Sequence, residues 1–268
     1  MYITIDDVSY FVDVNGEGIP LILLHGFTGD STTWSSLVNQ LGHKRKLVSV
    51  DIIGHGQTDS PENVNRYNIL SVAQDMKKII ESLKFDQVDV LGYSMGGRLA
   101  LTFALEYPQL VRKLILESSS PGLKTEAERK ARQTQDEKLA NTIHDKGIKK
   151  FVDFWENIPL FSTQKNLPLH KQLEIRRQRL QNSTIGLANS LKGMGTGVQP
   201  SWWDSLSQFE VETLLLSGTS DQKFCSIAEE MVNLMGNAEW TKVDDCGHAI
   251  HVEYLEKFAT IVDGFLSR

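Results

Sequence analysis

Ser94, Asp221 and His248 are the residues of this 268-residue chain whose types and order suit activated-serine chemistry. A serine hydroxyl at its own pKa is inert. It needs an imidazole to take its proton, and the imidazole needs a carboxylate to fix its tautomer. Ser94 sits in Gly92-Tyr93-Ser94-Met95-Gly96, a Gly-x-Ser-x-Gly turn between a short apolar run and an Ala/Leu-rich one. This is the pattern of a nucleophile elbow, a strand-to-helix turn too sharp to leave room for flanking Cβ atoms. Such a turn lifts the hydroxyl clear of the backbone at the end of a strand, where the unpaired N–H groups of the following helix favour negative charge. Asp221 and His248 also follow apolar runs, in Thr219-Ser220-Asp221 and Gly247-His248, with Asp245 and His251 as nearby competitors for the same roles. An oxyanion at this serine would need hydrogen-bond donors. The Met95 amide supplies one, and the Phe27 amide, in the small-residue loop His25-Gly26-Phe27-Thr28-Gly29, a second. His25 is expected to brace that loop rather than to react. Asp51 and His55 hint at another pair, but the Gly-punctuated stretch from Asp51 to Ser60 reads as an ordinary polar loop.

The elements that must place these residues show as alternating strand and helix patterns. Two antiparallel strands are expected within residues 2–14, and buried strands over 20–25, 46–51, 88–91, 111–117, 213–218 and 238–243. Helices are expected over 34–41, 68–83, after the elbow, over 229–235 and over 252–265. The second of these carries apolar residues at Ile69, Val72, Ala73, Met76, Ile79, Ile80 and Leu83, the spacing of one buried helix face. Successive strand-then-helix units imply the α/β class, a mostly parallel central sheet flanked by helices, with chemistry at the carboxyl ends of the strands. Between Gly122 and Trp203 the alternation stops. Helices are expected over 127–146, 148–155 and 167–181 with no buried strand, so the expected organisation is a core of residues 1–121 and 204–268 with a helical cap, 122–203, inserted.

Charge distribution narrows the ligand. The cap carries fourteen Lys and Arg against eight Asp and Glu, a local balance of +6, while the whole chain stands at −6 and the remainder therefore at −12. A cationic lid over an acidic body suggests a small-molecule substrate with several carboxylates, although many of these charges will pair along their own helices. The overall negative charge argues against nucleic-acid binding, and the apolar runs are too short to span a membrane. The acidic amino-terminal residues lack a signal-peptide pattern, and Cys225 and Cys246 have no metal-type spacing, so a reducing cytoplasm is expected. No motif for a metal or an organic cofactor is present. Gly193-Met194-Gly195-Thr196-Gly197 lacks the following Lys-Ser/Thr and the preceding strand that a phosphate-binding loop needs. Nothing in the sequence specifies an oligomeric state.

Through His25-Gly26-Phe27, Asp51 to Gly56, the elbow, Asp221 and Gly247-His248, the chain resembles the α/β-hydrolase superfamily over nearly its whole length. Its serine departs from the haloalkane dehalogenase and epoxide hydrolase branches, which carry aspartate there. More narrowly, Gly92 to Arg98, Glu128-Arg129-Lys130-Ala131-Arg132-Gln133, Phe154-Trp155, Arg179 and Gly193 to Pro200 resemble the 2-succinyl-6-hydroxy-2,4-cyclohexadiene-1-carboxylate synthases, lyases of menaquinone biosynthesis. The resemblance implies a cyclohexene substrate bearing succinyl, carboxylate and enolpyruvyl groups. It implies that Arg98, Arg132 and Arg179 hold the three carboxylates, Tyr93 and Trp155 line the pocket, and no cofactor takes part. Guanidinium forks suit carboxylates better than ammonium groups do. Arg98, on the first turn after the elbow, reaches the site without appeal to any family, whereas Arg129, Arg176 and Arg177 lie within one helical turn of the two cap arginines and remain alternatives. The expected reaction is proton abstraction by the activated serine with loss of pyruvate. The alternatives are a serine hydrolase (esterase, thioesterase or carbon–carbon bond hydrolase) of a small carboxylated substrate, or a non-catalytic binding protein on the same fold.

Overall fold

The apolar runs of the sequence become neighbouring strands of one sheet. In the computed structural model, which describes residues 1–268, the strands are β1 (Tyr2–Ile5), β2 (Val8–Asn15), β3 (Pro20–Leu24), β4 (Lys46–Val50), β5 (Val88–Tyr93), β6 (Val111–Glu117), β7 (Glu212–Gly218) and β8 (Ala238–Val243). They lie in the order β1-β2-β4-β3-β5-β6-β7-β8. β1 and β2 pair antiparallel, β2 runs antiparallel to β4, and every other neighbour is parallel. Every residue of β5 is buried, as expected of a central strand covered on both faces.

Helices α1 (Ser35–Leu41), α2 (Ile69–Ser82), α3 (Met95–Glu106), α7 (Gln222–Leu234), α8 (Ile250–Glu253) and α9 (Leu255–Leu266) cover the sheet. Leu37, Leu41, Phe258, Val262 and Phe265 of α1 and α9 join one apolar layer, while α2, α3 and α7 contribute Val72, Met76, Leu99, Phe103 and Met231 to the other. α2 follows its sequence pattern, with its apolar stripe buried and the Asn68 side chain accepting from the Leu70 N–H at its start.

Between β6 and β7 the chain is helical, with α4 (Glu126–Trp155), α5 (Leu169–Leu180) and α6 (Thr184–Met194) and a 3₁₀ stretch at Pro159–Asn166. A Thr125–Glu128 capping box starts α4. The two helices expected over 127–146 and 148–155 form as the two arms of α4, which meet at a kink at Gly147, where a positive φ of 75° is one that only glycine adopts cheaply. α6 was not anticipated. Residues 186–191 are all buried, so no polar face leaves an amphipathic pattern to read. Leu187, Ala188 and Leu191 of α6 pack with Ala140, Ile143, Phe151 and Val152 of α4 as a small separate core, and Phe27 of the sheet's loop leans on it. Elsewhere the structure shifts two boundaries. α7 starts directly after Asp221 rather than at Glu229, and the closing helix is split at Tyr254 into α8 and α9. No helix is long and apolar enough to cross a membrane.

Candidate active site

Ser94 stands between β5 and α3 with φ 52° and ψ −106°, a strained conformation for a residue with a side chain. The strand, the helix and the next strand hold it there. Its N–H donates to the Glu117 carbonyl at the end of β6 (2.9 Å), and its carbonyl accepts the Arg98 N–H (3.1 Å). A Cβ on Gly92 would overlap the Gly96 carbonyl, and one on Gly96 would overlap the Leu24 carbonyl, so the elbow closes only with glycine at both places. The N–H groups of Met95, Gly96 and Gly97 come ahead of that first helical hydrogen bond. Across from them the loop after β3 carries Phe27, whose amide donates to no other group of the protein.

Asp221 and His248 meet at this elbow from β7 and β8. His248 Nε2 lies 3.0 Å from Ser94 Oγ, and Asp221 Oδ2 lies 2.6 Å from His248 Nδ1. Both partners are buried, and the imidazole is boxed by Tyr93, Phe161 and Phe224. With Nδ1–H donated to the carboxylate, Nε2 is left to accept from the serine. The competitors are occupied elsewhere. His251 pairs with Glu117, and Asp245 sits on an exposed turn with its N–H given to Thr219.

The second pairing suggested by Asp51 and His55 does not form. The Asp51 carboxylate accepts the Ser31 and Gln57 N–H groups and ties two loops together. His55 is buried with Nδ1 toward the Ile53 carbonyl, and burial pushes its pKa down to about 3. His25 donates from Nδ1 to the Gly26 carbonyl and accepts the Ile52 N–H at Nε2, bracing the loop as a neutral ring whose pKa burial also lowers.

Ser94, Met95 and His248 face a cavity of about 190 Å³ that is also lined by Phe27, Tyr93, Arg98, Arg132 and Trp155. Arg98 spends a single nitrogen, Nη1, on the Met194 carbonyl (2.7 Å) and Gln199 Oε1 (2.5 Å). Both acceptors are neutral. Lost hydration, and next the charge of Arg132, push its pKa down to about 10. Arg132 gives Nε to Asp136 (2.8 Å), whose carboxyl is raised by burial. Neither Gln199 nor Asp136 stood out in the sequence. The only signal was their position, one in the stretch Gly193 to Pro200 and the other one turn beyond Arg132.

The remaining arginines separate cleanly. Arg129 donates to the Leu123 and Lys124 carbonyls, and Arg176 is paired with Asp153 and Glu156. Arg179 is buried, stacked 4.7 Å over Phe161 and bonded to Gln164. It does not line the cavity of Ser94. It borders, with the exposed Arg177, a second cavity of about 550 Å³ that shares Phe27, Tyr93 and Phe161 with the first and contains none of Ser94, Asp221 and His248.

A family model described as the alpha/beta hydrolase fold matches residues 19–254. The chain is 44% identical over 264 residues to the "Putative 2-succinyl-6-hydroxy-2,4-cyclohexadiene-1-carboxylate synthase" of Bacillus subtilis (strain 168), covering 98% of this chain and 96% of that protein. It is 29% identical to the 2-succinyl-6-hydroxy-2,4-cyclohexadiene-1-carboxylate synthase of Photorhabdus laumondii, over 92% of this chain and 85% of the relative. A solved structure of MenH from S. aureus superposes with a TM-score of 0.92 at 36% identity, covering 96% of this chain and 97% of that one. With the strand order, the elbow and the full-length similarity in agreement, the chain belongs to the α/β-hydrolase family, in the group that holds the 2-succinyl-6-hydroxy-2,4-cyclohexadiene-1-carboxylate synthases.

Proposed function

We propose that the protein is a cytoplasmic lyase of menaquinone biosynthesis that removes pyruvate from 2-succinyl-5-enolpyruvyl-6-hydroxy-3-cyclohexene-1-carboxylate, leaving 2-succinyl-6-hydroxy-2,4-cyclohexadiene-1-carboxylate. The observation that carries this reading is two guanidinium groups, Arg98 and Arg132, in the same cavity as a serine hydroxyl 3.0 Å from an oriented imidazole. A cavity built for a neutral ester has no use for two guanidinium groups, one of which, Arg98, finds only neutral acceptors within the protein.

In this reading Asp221 holds the tautomer of His248, and His248 takes the Ser94 proton. The Ser94 oxygen then removes the proton α to the succinyl ketone. Negative charge moves to the ketone oxygen, where the Phe27 and Met95 amides donate to it, each such donor being worth about 3 kcal/mol in the transition state. As the electron pair returns through the ring, the bond from ring carbon to the enolpyruvyl oxygen breaks. The leaving group takes up the proton held by His248 and tautomerises to pyruvate. Arg98 and Arg132 hold substrate carboxylates, Tyr93 and Trp155 pack against the ring, and Arg179 receives a carboxylate from a substrate that reaches past Phe161 into the larger cavity.

The test is pyruvate release from this cyclohexene, coupled to NADH oxidation by lactate dehydrogenase, for the parent and for Ser94→Ala, Arg98→Ala and His248→Ala. Release by the parent and its loss in all three variants is the expected result. No release from the parent, at enzyme concentrations where an authentic synthase completes the reaction, overturns the reading. Rapid turnover of a chromogenic ester with an acyl-enzyme burst would replace it with hydrolysis.

A further inference from the structure

A second carboxylate–imidazole pair lies beneath the elbow, outside the residues assigned above. Glu117, the last residue of β6, is fully buried, and its carboxylate accepts both the backbone N–H of His251 (3.1 Å) and Nδ1–H of the same ring (2.8 Å). Its backbone carbonyl is the group that accepts the Ser94 N–H. One residue therefore grips the nucleophile's strand with its main chain and, with its side chain, the helical turn that begins two residues after His248. The Tyr93 ring is caught between the two histidines, 5.3 Å from His248 and 4.6 Å from His251, and Trp34 closes the other side of His251 at 4.8 Å.

We propose that Glu117 and His251 are positioning residues that set the approach of His248 to Ser94, by locking the histidine loop to the strand beside the elbow. The inference rests on the reading that Ser94 and His248 act together. A buried carboxylate is costly to keep unless its hydrogen bonds are made. The two bonds from His251 satisfy that need only when α8 sits in this register, so the energy that solvates Glu117 also holds the loop. Without the ring donor the loop is free to relax, and displacement of about 1 Å between reacting groups costs up to a hundredfold in rate.

The discriminating pair of variants is His251→Leu and His251→Asn. Leucine removes the ring donor, whereas the asparagine amide can donate from nearly the place of Nδ1. His251→Leu is expected to lower kcat about tenfold to a hundredfold with KM little changed, and to slow phosphonylation of Ser94 by a fluorophosphonate to a similar extent. His251→Asn is expected to recover most of both rates. Glu117→Gln, which keeps the side-chain volume and one acceptor, should fall between them. Parent-like kcat and labelling in His251→Leu overturn the proposal. So do equal losses in the leucine and asparagine variants, or a fall in thermal midpoint alone, since a purely structural pair would give those results. If neither His251→Leu nor Glu117→Gln folds, the pair is structural and the proposal fails. Failure of the parent to release pyruvate, or full activity in Ser94→Ala, strikes instead at the reading on which it rests.

Discussion

Replacing Arg98 by lysine tests the polyanionic character of the site most directly. Both protein hydrogen bonds of Arg98 leave from Nη1, to Met194 and Gln199, so Nη2 and Nε remain for a ligand. The nearby carboxylate of Asp136 is bound to Arg132 instead. Under the proposed function a substrate carboxylate is the counter-ion of Arg98, received by a fork that these two bonds already orient. Lysine keeps the charge and loses the second donor direction. The loss of one charge-assisted hydrogen bond is about 2 kcal/mol, roughly thirtyfold in kcat/KM. Methionine removes the charge as well, and the cost of stranding a desolvated carboxylate raises the loss to about 4 kcal/mol, on the order of a thousandfold. Because the carboxylate is held in ground and transition states alike, the effect belongs mainly in KM. Initial rates of pyruvate release across a substrate range separate the two constants. Thermal stability should fall modestly in the methionine variant, which takes the Arg98 donor from the Met194 carbonyl and Gln199 Oε1, so the constants are compared on protein shown to be folded. A methionine variant with parent KM, or with a loss confined to kcat, would refute carboxylate binding by Arg98.

Other consequences are as concrete. Removing the imidazole in His248→Ala should lower kcat about a hundredfold to ten-thousandfold with modest change in KM, measured by the same coupled assay. Gly96→Ala forces a methyl group against the Leu24 carbonyl, and a destabilisation of about 1–3 kcal/mol with loss of Ser94 labelling is expected from denaturant titration and phosphonate reaction. His55 is held neutral by burial, its pKa lowered to about 3 from an ordinary value of 6.5. The unfolded chain therefore binds a proton that the native protein refuses, and stability falls as pH drops from the unfolded to the folded pKa, at a limiting slope of about tenfold in the unfolding constant per pH unit. His55→Gln should remove one proton's worth of that slope in urea titrations between pH 6 and pH 4, and an unchanged slope would contradict the assignment.

Local chemistry is what a linear sequence records well, and Ser94 shows how far it reaches. The glycines at 92 and 96, the apolar strand before and the helix after are demanded by a single turn, so the elbow was readable within ten residues. The alternation of buried strands with amphipathic helices such as α2 likewise announced a parallel sheet, and the break in that alternation marks the helical stretch between β6 and β7. Asp221 and His248 can be singled out because each follows its own strand, and in a parallel sheet the strand ends converge, as the contacts that link them to Ser94 show. Facing and partnership were not written in the same way. Arg132 and Arg179 have the same charge and lie on helices of similar pattern, yet one lines the cavity of Ser94 and the other stacks on Phe161 beside the next cavity. The rotation of each cap helix is set by what packs against it, and α6, buried along much of its length, left no stripe to reveal its part in that packing. Glu117 and His251 look in sequence like the end of a strand and a stray loop histidine. They become a pair only because β6 lies beside β5 and the turn after β8 folds back over both, a proximity across 134 positions that the sheet alone creates.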